Sequence, residues 1–175
     1  MDSVFLAFLR NSEQEVMELA SKSDILSLTP IGAAPASKYR IEFALPYLSR
    51  EAGGAFLMQG PVNVGVGFPT DYLHGATPDL QYRVACLLTP RFLHPNVYRG
   101  TVCLGAGFAP GTSISELLWE IFGIVSYSNI GLDERNALDP EACRLLREHP
   151  ELLAELPRKP FLRRRRSIKL EVKAV

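Results

Sequence analysis

His94-Pro95-Asn96-Val97-Tyr98-Arg99-Gly100-Thr101-Val102-Cys103-Leu104 is the stretch on which the reading of this 175-residue chain turns. Pro95, Asn96 and Gly100 are turn formers, so the run reads as largely irregular backbone that delivers one cysteine. Taken alone, a free cysteine between Val102 and Leu104 is ordinarily a small buried hydrophobe. Its setting along the chain is what changes that reading.

Upstream of this stretch the pattern has period two. Tyr39, Ile41, Phe43 and Leu45 alternate with Arg40, Glu42 and Ala44, and Val62, Val64, Val66 and Phe68 alternate with Asn63, Gly65 and Gly67. Each alternation is a half-buried strand. Ile25 to Thr29, stopped by Pro30, and Tyr82 to Leu88 read as two further strands. No helix pattern intervenes, which points to an antiparallel four-strand meander rather than βαβ units. Before the strands, Ser12-Glu13-Gln14-Glu15 has capping-box spacing, so a first helix runs to about Lys22, with an earlier start open through Val4–Leu9.

Downstream the period changes. Ser113 to Glu116 is a second capping box, and Ile114, Leu117, Leu118, Ile121, Phe122 and Val125 fall on one face of a central helix. Asp139-Pro140 opens another helix, and Pro150 divides it into two, at about 140–148 and 150–156. Ile168, Leu170 and Val172 alternate with Lys169, Glu171 and Lys173, a short extra strand in an otherwise basic tail. The fold class expected is α+β, with the central helix covering one face of the sheet.

Composition agrees with one globular domain, at 47% apolar and 22% charged residues. The run Val4–Leu9 is too short to span a bilayer and lacks the flanks of a signal peptide, so no membrane partner is expected. Cys86, Cys103 and Cys143 are widely spaced, odd in number and without metal-ligand pattern; free thiols suit a reducing cytoplasm. Cys86 in a strand and Cys143 on a helix read as core, and Trp119, off the main apolar stripe, as packing against a neighbouring element. The net charge of zero hides a split. Residues 158–175 carry eight Lys/Arg and one Glu, +7, leaving −7 on the other 157. Arg163-Arg164-Arg165-Arg166 could attract an acidic partner; a solvated charge run is the plainer reading, and nucleic acid is the weaker one.

The segment His94–Leu104 closely resembles the active-site segment of ubiquitin-conjugating enzymes, the SUMO-conjugating kind in particular. Phe68-Pro69-Thr70-Asp71-Tyr72 resembles the family's signature after its third strand, and Asp139-Pro140-Glu141-Ala142 resembles the opening of its third helix. The three motifs stand in family order across about residues 12–156. The resemblance implies a UBC-like fold, with residues 1–157 as the catalytic domain and 158–175 as a basic extension.

It further implies a thioester carrier. Cys103 would accept a ubiquitin-like protein from an activating enzyme and pass it to an amine of a protein substrate. A thiolate is nucleophilic enough to take the acyl group and a good enough leaving group to surrender it. No cofactor is implied for the chain itself, ATP being used by the activating enzyme, and no metal. By resemblance Asn96 supports the loop and hydrogen-bonds the developing oxyanion, while His94 and Pro95 are structural. Composition also permits a protease-like His–Cys dyad, which the Pro-Asn context disfavours. Of Asp133, Glu134 and Asp139, Asp133 is taken as the acid that orients and desolvates the amine.

Some features depart from the family. The run from Asn96 to Cys103 is one residue shorter, and Phe108-Ala109-Pro110 and Leu73-His74-Gly75-Ala76-Thr77-Pro78 replace its ligase-docking loops, so that surface is not carried over. Glu13, Glu15 and Glu18 make the first helix acidic, which predicts an activating enzyme with a basic docking face. With these departures the chain resembles the bacterial branch, encoded in operons with an activating enzyme, a ubiquitin-like protein and a peptidase, some serving in defence against phage. The alternative is a non-catalytic ubiquitin-binding variant of the same fold. Such variants lack the cysteine that this chain retains.

Overall fold

The computed structural model describes residues 2–51, 53–75, 79–105 and 107–163. The elements in chain order are α1 (Ser3–Lys22), β1 (Leu26–Ile31), β2 (Lys38–Phe43), β3 (Tyr47–Arg50), β4 (Phe56–Gln59), β5 (Val62–Gly67), α2 (Leu80–Arg83), β6 (Ala85–Leu87), β7 (Val97–Tyr98), β8 (Thr101–Val102), α3 (Ile114–Val125), α4 (Pro140–Glu148) and α5 (Pro150–Glu155). The architecture is α+β with an antiparallel main sheet.

The central helix forms as its sequence dictates. The Ser113 hydroxyl accepts the Glu116 N–H, and the Glu116 carboxylate accepts the Ser113 N–H at 3.0 Å, closing the capping box. Ile114, Leu117, Leu118 and Ile121 are wholly buried. They face a sheet whose inner row includes Ile41, paired with Val64, which pairs in turn with Leu87. The Phe43 ring of β2 lies 6.5 Å from that of Phe122 on α3, so the helix does cover the sheet.

The sheet is larger than a four-strand meander. Its order is β1-β2-β5-β6-β8-β7: the expected meander, extended at one edge by a hairpin of β7 and β8. That hairpin occupies the run expected to be irregular. Arg99 and Gly100 at its tip both have positive φ, 50° and 84°, as the commonest two-residue hairpin turn requires. A Cβ at Gly100 would also come within 3.2 Å of the Leu87 carbonyl oxygen, so the tip needs glycine. Two other strand expectations change. Pro30 does not stop β1, which reaches Ile31; β1 is an edge strand, where proline is tolerated. The Tyr82–Leu88 strand is shortened to β6, because Leu80 buries its side chain and folds the preceding residues into the single turn α2.

A separate two-stranded sheet, β3 with β4, has no counterpart in the sequence reading. Its burial does not alternate, with Tyr47, Leu48 and Ser49 all buried and Leu57 to Gln59 all exposed. Period two therefore could not reveal it.

The first helix takes the earlier start left open in the sequence, at Ser3 rather than the Ser12 box, and is capped by Asp2, whose carboxylate accepts the Val4 N–H at 3.1 Å. Phe5, Leu9, Ser12, Val16 and Leu19 make one buried face, so Ser12 sits inside the helix. The acids of this helix are engaged within the fold. Glu13 accepts the Ala36 N–H at 2.7 Å, Glu15 accepts the Ser115 hydroxyl at 2.8 Å at the start of α3, and Glu18 pairs with Lys22. Glu13 and Glu15 thus join α1 to the loop before β2 and to the start of α3, while all three acids keep some exposure. The exposed side of α1 carries Val4 and Met17, 62% and 74% exposed.

At the other end, α4 and α5 match the expected division. The core continues past residue 157: Phe161 is buried, stacks on Phe122 at 4.9 Å and meets the edge of Trp119 at 4.6 Å. Trp119 thus packs as expected on one face while remaining 46% exposed on the other. The Arg163 N–H donates to the Lys22 carbonyl and its guanidinium pairs with Asp24 at 2.6 Å. The expected strand around Ile168–Val172, and Arg164 to Arg166, lie outside the described residues.

Candidate active site

The His94-Pro95-Asn96 segment is held from several sides by main-chain bonds. The Leu93 N–H donates to Leu48 of β3 at 2.8 Å, the Tyr127 hydroxyl donates to the Leu93 carbonyl at 3.0 Å, and the Asp139 N–H donates to the Pro95 carbonyl at 2.8 Å. The hairpin missed in the sequence therefore has a positioning role, and the loop before α4 braces the other side. Fixed backbone is what a loop needs if its side chains are to meet a reacting group without rearrangement.

His94 is fully buried between the rings of Phe92 and Tyr127, with centroids 6.1 Å and 5.2 Å away. Its Nδ1 accepts the Asn96 N–H at 2.9 Å, which assigns the proton to Nε2. That second nitrogen is buried and has no hydrogen-bond partner among the described residues. Neither nitrogen contacts the Cys103 sulfur, so a His–Cys dyad is not assembled. Desolvation lowers the imidazole's pKa from 6.5 to about 3.

The buried neutral ring makes acid stability a test of the loop. Below pH 6.5 the unfolded chain binds a proton on His94 that the folded chain refuses, so stability falls as pH drops from 6.5 toward 3. The expected slope from this residue is about 1.4 kcal/mol per pH unit. In His94→Asn a side-chain oxygen can still accept the Asn96 N–H, and the wild-type-minus-variant difference in urea unfolding should show that slope. A difference flat with pH would mean that the ring is not buried as described.

Asn96 and Cys103 face each other at the base of the β7–β8 hairpin, where the Cys103 N–H donates to the Asn96 carbonyl at 2.8 Å. The Asn96 backbone carries the structural bonds, and among the described residues its carboxamide makes no hydrogen bond. Along β8 Val102 is buried and Thr101 and Cys103 are partly exposed, so alternation turns the Cys103 sulfur outward. A cleft of about 380 Å³ begins at the next residue, Leu104, and is walled by Phe108, Thr112, Glu116 and Glu120.

The three thiols differ in access. Cys143 is buried, and burial pushes its thiol upward in pKa. Cys86, expected in the core, is exposed: it lies between buried Ala85 and Leu87, and its sulfur rests over the bare backbone of Gly65 on the outer face. The sequence shows the strand but not which face of so short a strand is inward.

Asp133 is engaged elsewhere. Its carboxylate accepts from the Arg135 N–H and guanidinium, at 2.9–3.1 Å, and from the Asn136 carboxamide at 3.3 Å. The bond from Arg135 holds the carboxyl below its ordinary range. Asp139 is the acid joined to the His-Pro-Asn segment, through its backbone, while its carboxylate caps α4 at the Ala142 N–H.

One residue beside Cys103 had no signal in the sequence. The one-turn helix α2 crosses the end of β8, where the Leu104 N–H donates to the Gln81 carbonyl at 3.4 Å. The Gln81 side-chain oxygen accepts from the Cys103 thiol at 4.0 Å. Among the described residues no group of three His, Cys, Asp or Glu side chains is placed to hold a metal, and no helix is long and apolar enough to cross a membrane.

No family model and no curated protein matches this chain. Among solved structures it is similar to a ubiquitin-conjugating enzyme E2 domain from Toxoplasma gondii, 18% identical, over 81% of this chain and 90% of that one, with a TM-score of 0.46. A likeness that distant carries no functional argument.

Proposed function

We propose that this chain is a conjugating enzyme of the ubiquitin type. It takes a ubiquitin-like protein from an ATP-using activating enzyme as a thioester on Cys103 and transfers it to an amine of a protein substrate. The observation that carries this reading is an outward-turned cysteine bonded through its backbone to Asn96, whose carboxamide is left unengaged on a braced loop. In the first step the Cys103 thiolate attacks the incoming thioester and the activating enzyme's thiol leaves. In the second, the amine attacks the Cys103 thioester, and the Asn96 N–H₂ donates to the oxygen on which negative charge develops. Asp133 remains the acid assigned to orient the amine, with Arg135 as a counter-ion that must swing away to let it act. Asp133→Ala discharging Cys103 at the wild-type rate would remove that assignment.

The reading brings its setting with it: a bacterial operon supplying the partners, phage defence as one use of such operons, and a reducing cytoplasm that keeps the thiol free.

The test is an adduct. The chain is mixed with its activating enzyme, ATP and the ubiquitin-like protein, and resolved without reductant. A thiol-labile adduct is expected, mapping by mass spectrometry to the peptide containing Cys103 and persisting in Cys86→Ala. An adduct that maps to Cys86, or none at all, overturns the proposal.

A further inference from the structure

We propose that Gln81 reads the acyl group carried by Cys103, its side-chain oxygen accepting the N–H of the residue whose carbonyl forms the thioester. The inference deepens the reading of Cys103 as a thioester carrier and rests on it.

The geometry begins with α2. Buried Leu80 anchors this single turn in the core, and Arg83 ties it to Asp71 at 3.4 Å and Asp79 at 3.8 Å. Between them, the Gln81 carbonyl accepts the N–H of Leu104, the residue after the cysteine. Its backbone is thus fixed beside β8, and the residue is half-buried. The Gln81 side-chain oxygen accepts from the Cys103 thiol at 4.0 Å, and among the described residues that carboxamide makes no other hydrogen bond. Leu104 also opens the cleft walled by Phe108, Thr112, Glu116 and Glu120. An acyl chain leaving the sulfur toward this cleft passes Gln81.

Acylation takes away the donor that this oxygen has. In loading, the Cys103 sulfur bonds to the carbonyl carbon of the incoming thioester. The C–S bond to the donor thiol breaks, its electron pair leaves on that thiol's sulfur, and the Cys103 proton goes to water. The acylated sulfur carries no hydrogen. A half-buried acceptor left without a partner costs free energy, and the acyl group brings one strong donor to offset it. In S–C(=O)–Cα–N the amide nitrogen stands about 3–4 Å from the sulfur at standard bond lengths. The Gln81 oxygen, 4.0 Å from the same sulfur, is within reach of it. The bond given up by the thiol is therefore replaced by one from the terminal residue's N–H. The substrate class follows: the modifier ends in a residue with a free amide hydrogen, and a terminal proline is disfavoured.

The test uses the intact chain in a Cys86→Ser background and a pair of mercaptoethanesulfonate thioesters. One carries acetylglycyl; the other carries acetoxyacetyl, the same shape with an ester oxygen in place of the N–H. Loading at Cys103 is followed by mass spectrometry, and each rate is divided by that thioester's rate with free N-acetylcysteine to remove intrinsic reactivity. The parent should prefer the acetylglycyl group about fivefold, the range of one neutral hydrogen bond. Gln81→Leu should lose the preference. Gln81→Glu, whose carboxylate still accepts, should keep it even where both loadings slow. A merely structural Gln81 would alter both thioesters alike and leave their ratio unchanged. No preference in the parent, one that survives in Gln81→Leu, or one lost in Gln81→Glu overturns the role of Gln81 and leaves the carrier reading standing. Failure of the parent to load at Cys103 with either thioester overturns the carrier reading, and the role of Gln81 with it.

Discussion

Cys103→Ala abolishes the thiol-labile adduct outright, while Cys103→Ser leaves a slowly formed adduct that survives reductant and yields only to hydroxide or hydroxylamine. The argument is chemical. An alkoxide is a far poorer leaving group than a thiolate, so an ester at this position is a trap where a thioester is an intermediate. Both changes are small in volume at a partly exposed site, so neither costs the fold enough to confuse loss of chemistry with loss of structure. Circular dichroism and urea unfolding of the variants should match the parent. A thiol-labile adduct persisting in Cys103→Ala would place the carrier sulfur elsewhere, and Cys86 is the thiol in the open to inspect first.

Asn96→Ala is expected to load Cys103 at close to the parent rate and to discharge it to lysine about 10²–10³-fold more slowly, the usual cost of removing one oxyanion donor. Loading survives because the loop does not depend on the side chain. The Asn96 N–H donates to His94 and its carbonyl accepts the Cys103 N–H, and alanine keeps both. Asn96→Asp should be as slow as the alanine variant despite its similar shape, because a carboxylate cannot donate. Single-turnover discharge from preloaded enzyme measures this directly. If Asn96→Asp were as fast as the parent, the oxyanion role would be lost and only the backbone role would remain.

Local signals were legible wherever one element carries its own pattern. The capping box at Ser113, the apolar stripe from Ile114 to Val125, the alternations in β2 and β5, and the Asp139-Pro140 start all rest on residues within one turn or one strand. The same kind of signal misled at Ser12. There the tetrad has capping spacing, but the 3.6-residue period had already begun at Phe5, and Glu15 reaches a residue 100 positions away instead of its own N-cap. Hairpins gave mixed results for an equally physical reason. β3 and β4 exist through their pairing and their contact with the loop before His94, and neither carries an alternation.

The site divides along the same line. Cys103, Asn96 and His94 could be proposed together because they lie in one short run whose chemistry depends on residue type. Gln81 could not. It comes from a turn more than 20 positions earlier, and only the crossing of α2 over β8 brings it to the sulfur.

Sequence alone determined the four-strand meander and the helices α1, α3, α4 and α5, and it singled out the thiol proposed to carry the chemistry, because hydrophobic period, caps and residue type are properties of neighbours in the chain. The tertiary structure decided which face of β6 carries Cys86, that Glu13 and Glu15 accept from Ala36 and Ser115, and that Gln81 stands beside Cys103. Those outcomes depend on side chains meeting across long separations in sequence, where burial and hydrogen bonding choose among many pairings that local pattern leaves equally open.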